Sequence, residues 1–190
     1  MKTAKGYRKQ IIHYDIPGQA HYLTFTCFRN QAFLSRDRTR QWFIESLEKA
    51  RSKHGFDLWG WVIMPEHVHL MILPKTESSI SKILASIKIP VSRLACSWIK
   101  ENSPNSLSKI TDKQPNGICT YRFWQRGGGY DRNISSVQEL YEKLNYMHKN
   151  PVRRGLVELP ADWYWSSFRA YESNAEIPIC IDRDSLPPMR

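Results

Sequence analysis

Three stretches of the chain have the apolar pattern of β-strands. The segment HYLTFTCF (His21 to Phe28) alternates and is rich in aromatic and β-branched residues, which favours a strand. Two further apolar stretches, Phe56 to Met64 and His67 to Leu73, are separated only by Pro65 and Glu66, so they predict an antiparallel hairpin. Because both stretches carry apolar residues on both faces, we expect them in the middle of a sheet.

Apolar residues at helical spacing predict three helices. The first runs from about Arg38 to His54, and the second runs from Ser78 to Lys100, where Pro90 is expected to disturb it. The third begins at a capping-box pattern that starts with Ser136, and it ends near Lys149. Strands that are grouped with helices on one side predict an α+β sandwich with a mainly antiparallel central sheet.

The length of the chain suits one domain with an arm and a tail. Residues 1–17 are polar and basic and predict an N-terminal arm, and residues 18–171 form the predicted domain. Within it, residues 101–120 are polar and rich in Pro, Asn and Ser, which predicts a loop or flexible insertion before a short strand at residues 121–125. Residues 172–190 contain several prolines and predict a tail on the surface.

The composition favours a folded, basic protein with a polyanionic partner. Hydrophobic residues make up 41% of the 190 residues, which is enough for a core, and the formal net charge of +10 favours nucleic acid. No apolar run reaches the roughly 20 residues of a membrane span, and the basic N-terminus lacks the apolar stretch of a signal peptide. The four cysteines are scattered without a CxxC pair, so neither a zinc ribbon nor a disulfide framework is expected. We therefore expect the protein in the cytoplasm.

The first candidate for chemistry is the pair His67 and His69 in the third predicted strand. Alternate residues of a strand point to the same face, about 6.6–6.8 Å apart, so two such imidazoles can bind one metal ion. The simpler reading is two histidines that merely lie on a strand. The neighbouring Glu66 could orient a ligand, although its place between two strands favours a turn residue.

The second candidate lies in the last predicted helix. Its apolar residues form one stripe, and Tyr146 lies nearly opposite that stripe on a polar face. Asn150 follows one turn later on the same face. Phosphate oxygens could be held by the basic residues that come next, which are Lys149, Arg153 and Arg154. The alternative is an exposed tyrosine without a function, while His148, nearer to the apolar stripe, is expected to be structural.

The third candidate is the segment YRFWQRGGGYDRN, where aromatic and basic residues alternate. Single-stranded nucleic acid stacks its bases on aromatic rings, and cations follow its backbone. The segment therefore predicts a DNA-binding set of Arg122, Trp124, Arg126 and Arg132. The alternative is an ordinary aromatic mini-core surrounded by solvated arginines.

Four segments together resemble one known family. The strings WVIMPEHVHLMI, FWQRGGGYDRN, LNYMHKNPVRRGLV and DWYWSSFRAY occur in this order, and they resemble the REP-associated tyrosine transposases. These proteins are relatives of the insertion-sequence transposases that have an HUH motif and one catalytic tyrosine. The resemblance runs from about Tyr22 to Tyr171, and it implies a ferredoxin-like sheet with helices on one face, the HUH endonuclease fold.

The resemblance also implies a role for each matching residue. His67 and His69 would be the metal ligands, Tyr146 would be the nucleophile, and Asn150 would be a third ligand or would orient the site. The implied cofactor is Mg²⁺ or Mn²⁺. The implied partner is single-stranded DNA with hairpins, the repetitive extragenic palindromes (REP). Such a transposase would cut and rejoin DNA through a 5′-phosphotyrosine intermediate, and it would act at the nucleoid.

Two departures from the family pattern and two other functions also follow from the sequence. Residues 101–120 look inserted, and Gly127–Tyr130 replace the single glycine and aromatic residue that the family has after its WQR-type motif. The hairpin contacts and loop geometry of the family therefore cannot be transferred directly. A domesticated relative could bind hairpins as a regulator without cutting them. A zinc hydrolase is a third class, but the chain has no HExxH or comparable spacing. Both monomers and homodimers are compatible with the family.

Overall fold

The computed structural model describes residues 15–75, 78–173 and 175–189, so most of the predicted N-terminal arm, residues 1–14, lies outside the described ranges. The elements in chain order are β1 (His21–Thr26), α1 (Asp37–His54), β2 (Phe56–Ile63), β3 (His67–Pro74), α2 (Ile80–Asn102), α3 (Leu107–Ile110), β4 (Thr111–Lys113), β5 (Cys119–Tyr121), β6 (Tyr130–Asn133), α4 (Val137–His148), α5 (Asn150–Arg153) and α6 (Phe168–Glu172). Short 3-10 turns are formed by Phe28–Asn30, Pro104–Ser106, Pro160–Asp162 and Arg183–Ser185.

The central sheet is antiparallel, with the strand order β2-β3-β1-β6. Strand β1 and the hairpin β2–β3 confirm the strands predicted from the apolar pattern. The prediction that β2 lies in the middle of the sheet is wrong, because β2 is an edge strand. The predicted strand at residues 121–125 is also wrong, because only Tyr121 belongs to a strand, β5. The register pairs Thr24 with His69, which places the two side chains beside each other on one face.

The C-terminal segment covers the edge of β2. The backbone N–H of Asp182 donates to the carbonyl of Leu58 at 2.9 Å, and the N–H of Leu58 donates to the carboxylate of Asp182 at 2.7 Å. Ile179 is part of the core, with 3% of its surface exposed. The prediction that residues 172–190 form a surface tail is therefore wrong at these positions. An edge strand that another segment covers has the same apolar pattern as a central strand. This explains why β2 was predicted in the middle of the sheet and why its cover by the C-terminal segment was not predicted.

Helices cover both faces of the sheet, whereas the resemblance implied helices on one face. Helices α1 and α2 pack on the face that includes Leu23. Helix α4 packs on the other face, whose apolar residues include Tyr22 and Met71. The approach of α4 is close at Gly60, where a Cβ atom would lie 2.7 Å from Cδ2 of Leu144. Glycine at this position therefore allows α4 to reach the sheet.

Residues 101–120 are ordered, in contrast to the predicted loop or flexible insertion. After the end of α2 they form α3 and the hairpin β4–β5. Ile110 is fully buried, and the carboxylate of Asp112 binds the side chains of Arg122 and Arg126. Ile110 and Asp112 therefore hold residues 101–120 in place, although the polar composition of this segment is typical of a loop.

The predicted helices are confirmed, with differences in detail. Helix α2 continues through Pro90 rather than ending there. The predicted capping pattern opens α4, since the hydroxyl of Ser136 accepts from the N–H of Glu139 at 3.1 Å and the carboxylate of Glu139 accepts from the N–H of Ser135 at 2.9 Å. A short turn separates α4 from α5, which begins at Asn150. None of the helices within the described ranges has the length and apolar character that crossing a membrane requires.

Candidate active site

Two imidazoles of β3 meet on the face of the sheet that carries α4. His67 and His69 are two residues apart on the strand, so their side chains point the same way. Their Nε2 atoms are 2.9 Å apart, and their rings are nearly perpendicular, with an interplanar angle of 87°. The predicted juxtaposition of these two side chains is therefore present.

Polar side chains hold the outer nitrogen of each imidazole. Nδ1 of His69 lies 2.8 Å from the hydroxyl of Tyr22 and 2.9 Å from the hydroxyl of Thr24. Nδ1 of His67 lies 3.1 Å from a carboxylate oxygen of Glu66. Because a carboxylate only accepts hydrogen bonds, the proton of neutral His67 is on Nδ1, and its Nε2 lone pair faces the neighbouring ring. This arrangement orients the imidazoles as a metal site requires.

Burial favours the neutral form of both imidazoles. It lowers the pKa of His69 to about 3, and the adjacent His67 adds to the effect. Burial also lowers the pKa of His67, while the nearby Glu66 carboxylate opposes that shift. Neutral imidazole is the form that binds a metal ion. The electrostatics of the site therefore favour ligation over protonation.

Asn150 adds a third polar group to the pair. Its Nδ2 atom lies 2.9 Å from Nε2 of His69, and the residue is buried. The nitrogen and oxygen of a carboxamide are assigned from their hydrogen bonds, so a rotation about the last bond would present the oxygen instead. Within the described ranges, no group of three His, Cys, Asp or Glu side chains could hold a metal ion. The candidate donor set consists of two imidazoles and one carboxamide.

The spacing of these groups fits a divalent cation. Two nitrogens that each lie about 2.1 Å from one ion are about 3 Å apart when the angle at the ion is close to 90°. The observed separation of 2.9 Å between the Nε2 atoms of His67 and His69 agrees with this value. Imidazole nitrogen together with an amide oxygen is a set that manganese and similar ions accept.

Tyr146 stands beside the imidazole pair. Its ring centroid is 6.2 Å from that of His69, and 45% of the residue is exposed. Leu144 and Met147 of the same helix are buried against the sheet, so the 100° spacing of the helix turns Tyr146 away from the core. The guanidinium of Arg153 lies 4.9 Å from the centroid of the Tyr146 ring.

The predicted basic residues fall into two groups. In the first group, Arg154 binds the Glu66 carboxylate at 2.9 Å, and Arg153 lies 4.9 Å from the centroid of the Tyr146 ring. Lys149, also of this group, is exposed and precedes Asn150 in the chain. The other group lies on the segment after β5 and on β6. Its members are held by acidic side chains: Arg122 and Arg126 by Asp112, and Arg132 by Glu139.

Trp124 does not have the predicted position. It is 6% exposed, its ring packs edge-on against Phe25, and its Nε1 donates to the carbonyl of Lys88 at 3.0 Å. Too little of the indole surface is accessible for a base to stack on it. The prediction that Trp124 contacts DNA is corrected accordingly, and the alternative of an aromatic mini-core describes this residue.

Tyr22, Thr24 and Glu66 complete the site. The sequence did not predict the contacts of Tyr22 and Thr24 with His69. Both lie at alternate positions of β1, which is a weak signal until the pairing with β3 is known. Glu66 lies in the turn, as expected, and also binds His67. His148 is structural, as predicted: burial lowers its pKa to about 4, and its Nε2 lies 2.9 Å from the hydroxyl of Ser167.

Comparison with solved structures shows that this chain shares its fold with a tyrosine transposase. A solved structure described as a REP-associated tyrosine transposase bound to a REP hairpin matches this chain with a TM-score of 0.66. The match covers 92% of this chain and 93% of that chain. The two sequences are 22% identical, so this likeness concerns the fold alone.

The chain belongs to the IS200-like transposase family, whose model, described as "Transposase IS200 like", matches residues 17–130. The REP-associated tyrosine transposase of Escherichia coli (strain K12) is 25% identical over 167 residues, which cover 87% of this chain and 86% of that protein. A Haemophilus influenzae protein assigned as a REP-associated tyrosine transposase is 26% identical over 141 residues, with coverages of 70% and 74%. The resemblance predicted from the sequence is thereby confirmed. The family match ends before Tyr146 and Asn150, so the roles of these two residues stay predictions, which their positions beside the histidines support.

Proposed function

We propose that the protein is a metal-dependent endonuclease and strand transferase that cuts and rejoins single-stranded DNA at REP-like hairpins, with Tyr146 as its nucleophile. The observation that carries this proposal is the 6.2 Å separation between the ring centroids of Tyr146 and His69. It puts an exposed phenol next to two nitrogens that suit a metal ion. The choice of substrate is supported by the structural neighbour, which is described as bound to a REP hairpin.

The proposed reaction transfers a phosphodiester bond to Tyr146. The phenolic oxygen attacks phosphorus, and the bond between phosphorus and the 3′ oxygen of the DNA breaks. The phenol loses its proton, and the departing 3′ oxygen gains one. The products are a 5′-phosphotyrosine and a free 3′-hydroxyl group. Since one phosphodiester replaces another, attack by a 3′-hydroxyl group can rejoin the DNA without ATP.

His67, His69 and Asn150 are the residues that would hold the divalent cation, Mg²⁺ or Mn²⁺. The two nitrogen ligands favour Mn²⁺, since Mg²⁺ prefers oxygen. When bound, such an ion polarises the scissile phosphate and stabilises charge on the departing oxygen. The protein fixes the ligands from outside through Tyr22 and Glu66, which contact the outer nitrogens of the two rings.

Basic residues near Tyr146 are proposed to orient the DNA backbone. Arg154 lines a polar cavity together with His67 and Glu66, and Arg153 lies against the Tyr146 ring. Guanidinium groups bind phosphate oxygens through paired N–H donors. We therefore propose that these residues, with the exposed Lys149, place the scissile phosphate beside the phenol.

The more distant arginines are proposed to bind the hairpin itself. Arg122, Arg126 and Arg132 are each paired with a carboxylate, which holds their side chains in position before DNA arrives. One chain supplies every group of the proposed site, which is compatible with a monomer as well as with a homodimer. An enzyme with this function would act on DNA at the nucleoid, in the cytoplasm.

Formation of a covalent protein–DNA species tests the assignment of the nucleophile. Single-stranded oligonucleotides containing the hairpins that flank the gene of this protein are incubated with the protein and Mn²⁺. The wild-type protein should form an adduct that survives denaturing electrophoresis, and Tyr146→Phe should form none. Tyr164→Phe is a matched control, because Tyr164 is exposed and lies on a different segment. An undiminished adduct with Tyr146→Phe rejects the proposal.

Two further outcomes separate the alternatives. Adduct formation at full rate in the presence of EDTA would reject the dependence on a metal. Tight binding of the hairpins with no cleavage by the wild-type protein would favour the regulator that binds DNA without cutting it.

A further inference from the structure

Residues 165–167 extend the central sheet at the edge of β2. The backbone N–H of Ile63 donates to the carbonyl of Trp165, and the N–H of Ser167 donates to the carbonyl of Trp61, each at 2.9 Å. These residues belong to the string DWYWSSFRAY, which contributed to the family resemblance. None of them takes part in the proposed reaction, so the segment is without a role up to this point.

The hydroxyl of Ser167 joins β2 to the last residue of α4. It accepts from the N–H of Trp61 at 2.9 Å, and it lies 2.9 Å from Nε2 of His148. Either the hydroxyl or the imidazole is the donor of this second hydrogen bond, depending on the tautomer of the imidazole. Only 0% of Ser167 and 5% of His148 are exposed, so the contact is shielded from competing water.

The contact fixes the turn of α4 that carries the proposed nucleophile. His148 comes two residues after Tyr146 and two residues before Asn150. Among the side chains of residues 145–148, all within the described ranges, only that of His148 makes a hydrogen bond to another segment. Met147 also packs against the sheet, but apolar packing is non-directional. The hydrogen bond therefore sets where the end of the helix lies.

We propose that Ser167 is a positioning residue of the proposed active site and that it acts through His148. The contact between these two residues holds Tyr146 and Asn150 beside the two histidines of β3. This inference rests on the proposed function, since it assigns a role in the same site. The effect is most direct for Asn150, whose Nδ2 lies 2.9 Å from Nε2 of His69. A misplacement of about 1 Å can slow a reaction by about a hundredfold.

Substitutions on both sides of the contact test this role. Ser167→Ala and His148→Leu remove the hydrogen bond, whereas the amide introduced by His148→Gln can still reach the hydroxyl. Ser166→Ala is the matched control, because Ser166 is equally buried and its hydroxyl accepts from the N–H of Phe168 in α6 rather than contacting α4. Thermal unfolding of each variant comes first, and all assays are run at a temperature at which every variant is folded.

The rate of adduct formation should separate the variants. At saturating hairpin and Mn²⁺, we expect Ser167→Ala and His148→Leu to form the Tyr146 adduct roughly ten- to a hundredfold more slowly than the wild-type protein. His148→Gln should stay within about threefold of wild type, and Ser166→Ala within about twofold. Affinity for the hairpin in EDTA should be unchanged in all variants, because the contact is buried.

Binding of Mn²⁺ without DNA gives a readout that does not depend on cleavage. Electron paramagnetic resonance measures the free ion, and Ser167→Ala should raise the dissociation constant of Mn²⁺ several fold. In protein that also carries Asn150→Ala, the group to be positioned is gone, so Ser167→Ala should cause no further rise. For adduct formation, the double variant of Ser167→Ala and His148→Leu should be no slower than the slower single variant, since both changes remove the same hydrogen bond.

Three results would overturn the inference. Equal slowing by Ser167→Ala and Ser166→Ala would mean that the hydroxyl of Ser167 contributes only to stability. The same loss of Mn²⁺ affinity with and without Asn150 would mean that Ser167 does not act through that residue. If Ser167→Ala does not fold, the two His148 variants decide, and equal rates for His148→Leu and His148→Gln would contradict the proposal.

These outcomes are separate from those for the nucleophile. A Tyr146-dependent adduct that forms as fast in Ser167→Ala as in the wild-type protein would reject the positioning role and leave the proposed function intact. Mn²⁺ binding that depends on both Ser167 and Asn150, without any adduct from the wild-type protein, would support the positioning of Asn150 and reject the proposed cleavage.

Discussion

The hydroxyl of Tyr22 lies 2.8 Å from Nδ1 of His69, although the two residues are 47 positions apart in the sequence. The contact exists because β1 and β3 are neighbours in the sheet, and Thr24 adds a second hydroxyl at 2.9 Å. The imidazole is thus oriented from within the sheet, whereas Tyr146 is carried by α4. The proposed ligand and the proposed nucleophile are therefore positioned by separate elements of the fold.

Removing the hydroxyl of Tyr22 should weaken metal binding without unfolding the site. Tyr22→Phe keeps the buried ring but leaves His69 with one hydroxyl partner, and loss of such outer contacts typically costs about 10- to 100-fold in metal affinity or activity. We expect the Mn²⁺ concentration that gives half-maximal adduct formation to rise about tenfold, while hairpin binding in EDTA is unchanged. Tyr130→Phe is the control, because Tyr130 contacts the Tyr22 ring and is exposed. An equal rise in both variants would contradict this role of the hydroxyl.

Neutralising Glu66 should also weaken metal binding, but less than Tyr22→Phe does. Its carboxylate accepts from Nδ1 of His67 and also binds Arg154. In Glu66→Gln the amide oxygen can still accept, but without the negative charge, so we expect the half-maximal Mn²⁺ concentration to rise by several fold. Glu158→Gln removes the same charge at an exposed position and should leave this concentration unchanged. An unaltered metal requirement in Glu66→Gln would show that the carboxylate does not support His67.

The stability of α4 should depend on pH through Glu139. The hydrogen bond from the backbone of Ser135 is the main cause that lowers the pKa of Glu139 from 4.5 to about 2, opposed by burial and helped by the side chains of Ser135 and Arg132. Because the folded-state pKa is depressed, this stabilisation is complete above pH 4.5 and is lost as the pH falls towards 2. Glu139→Gln should lower the free energy of unfolding by roughly 1–2 kcal/mol at pH 7, as loss of a helix cap does.

Urea unfolding at pH 7 and at pH 3 measures this difference. The difference in the free energy of unfolding between wild type and Glu139→Gln should be smaller at pH 3 than at pH 7. Glu142→Gln serves as the control, because Glu142 is an exposed residue of the same helix whose carboxylate accepts from Gln138. A gap of the same size at both pH values would mean that the charge of Glu139 does not stabilise α4.

Gly129 should be intolerant of any side chain. Its φ is +88°, and a Cβ atom would lie 2.2 Å from the carbonyl oxygen of Thr24 in β1. Gly129→Ala therefore combines an unfavourable backbone conformation with a clash against backbone, and we expect a loss of more than about 2 kcal/mol. Gly127→Ala has a similar φ of +90° without any atom within 4 Å, so it should lose only about 1 kcal/mol. Thermal unfolding of both variants measures the difference, and equal losses would contradict the clash.

Local patterns in the sequence determined most of the elements and the central pair of the site. The alternation of β3 places His67 and His69 on one face, and the 100° spacing of α4 turns Tyr146 away from its apolar stripe. These predictions succeeded because they depend only on residues a few positions apart. Only the fold, however, brings Tyr146 of α4 next to His67 and His69 of β3.

Tertiary structure decided which residues surround that pair and which residues are accessible. The Tyr22 contact depends on the pairing of β1 with β3, and the burial of Trp124 depends on its packing beneath α2. The edge of β2 is covered by residues near Asp182, more than a hundred positions further along the chain. Periodicity shows that a side chain is apolar or lies on a given face, but it does not show which distant segment covers it. That information resides only in contacts between segments, which form when the whole chain packs.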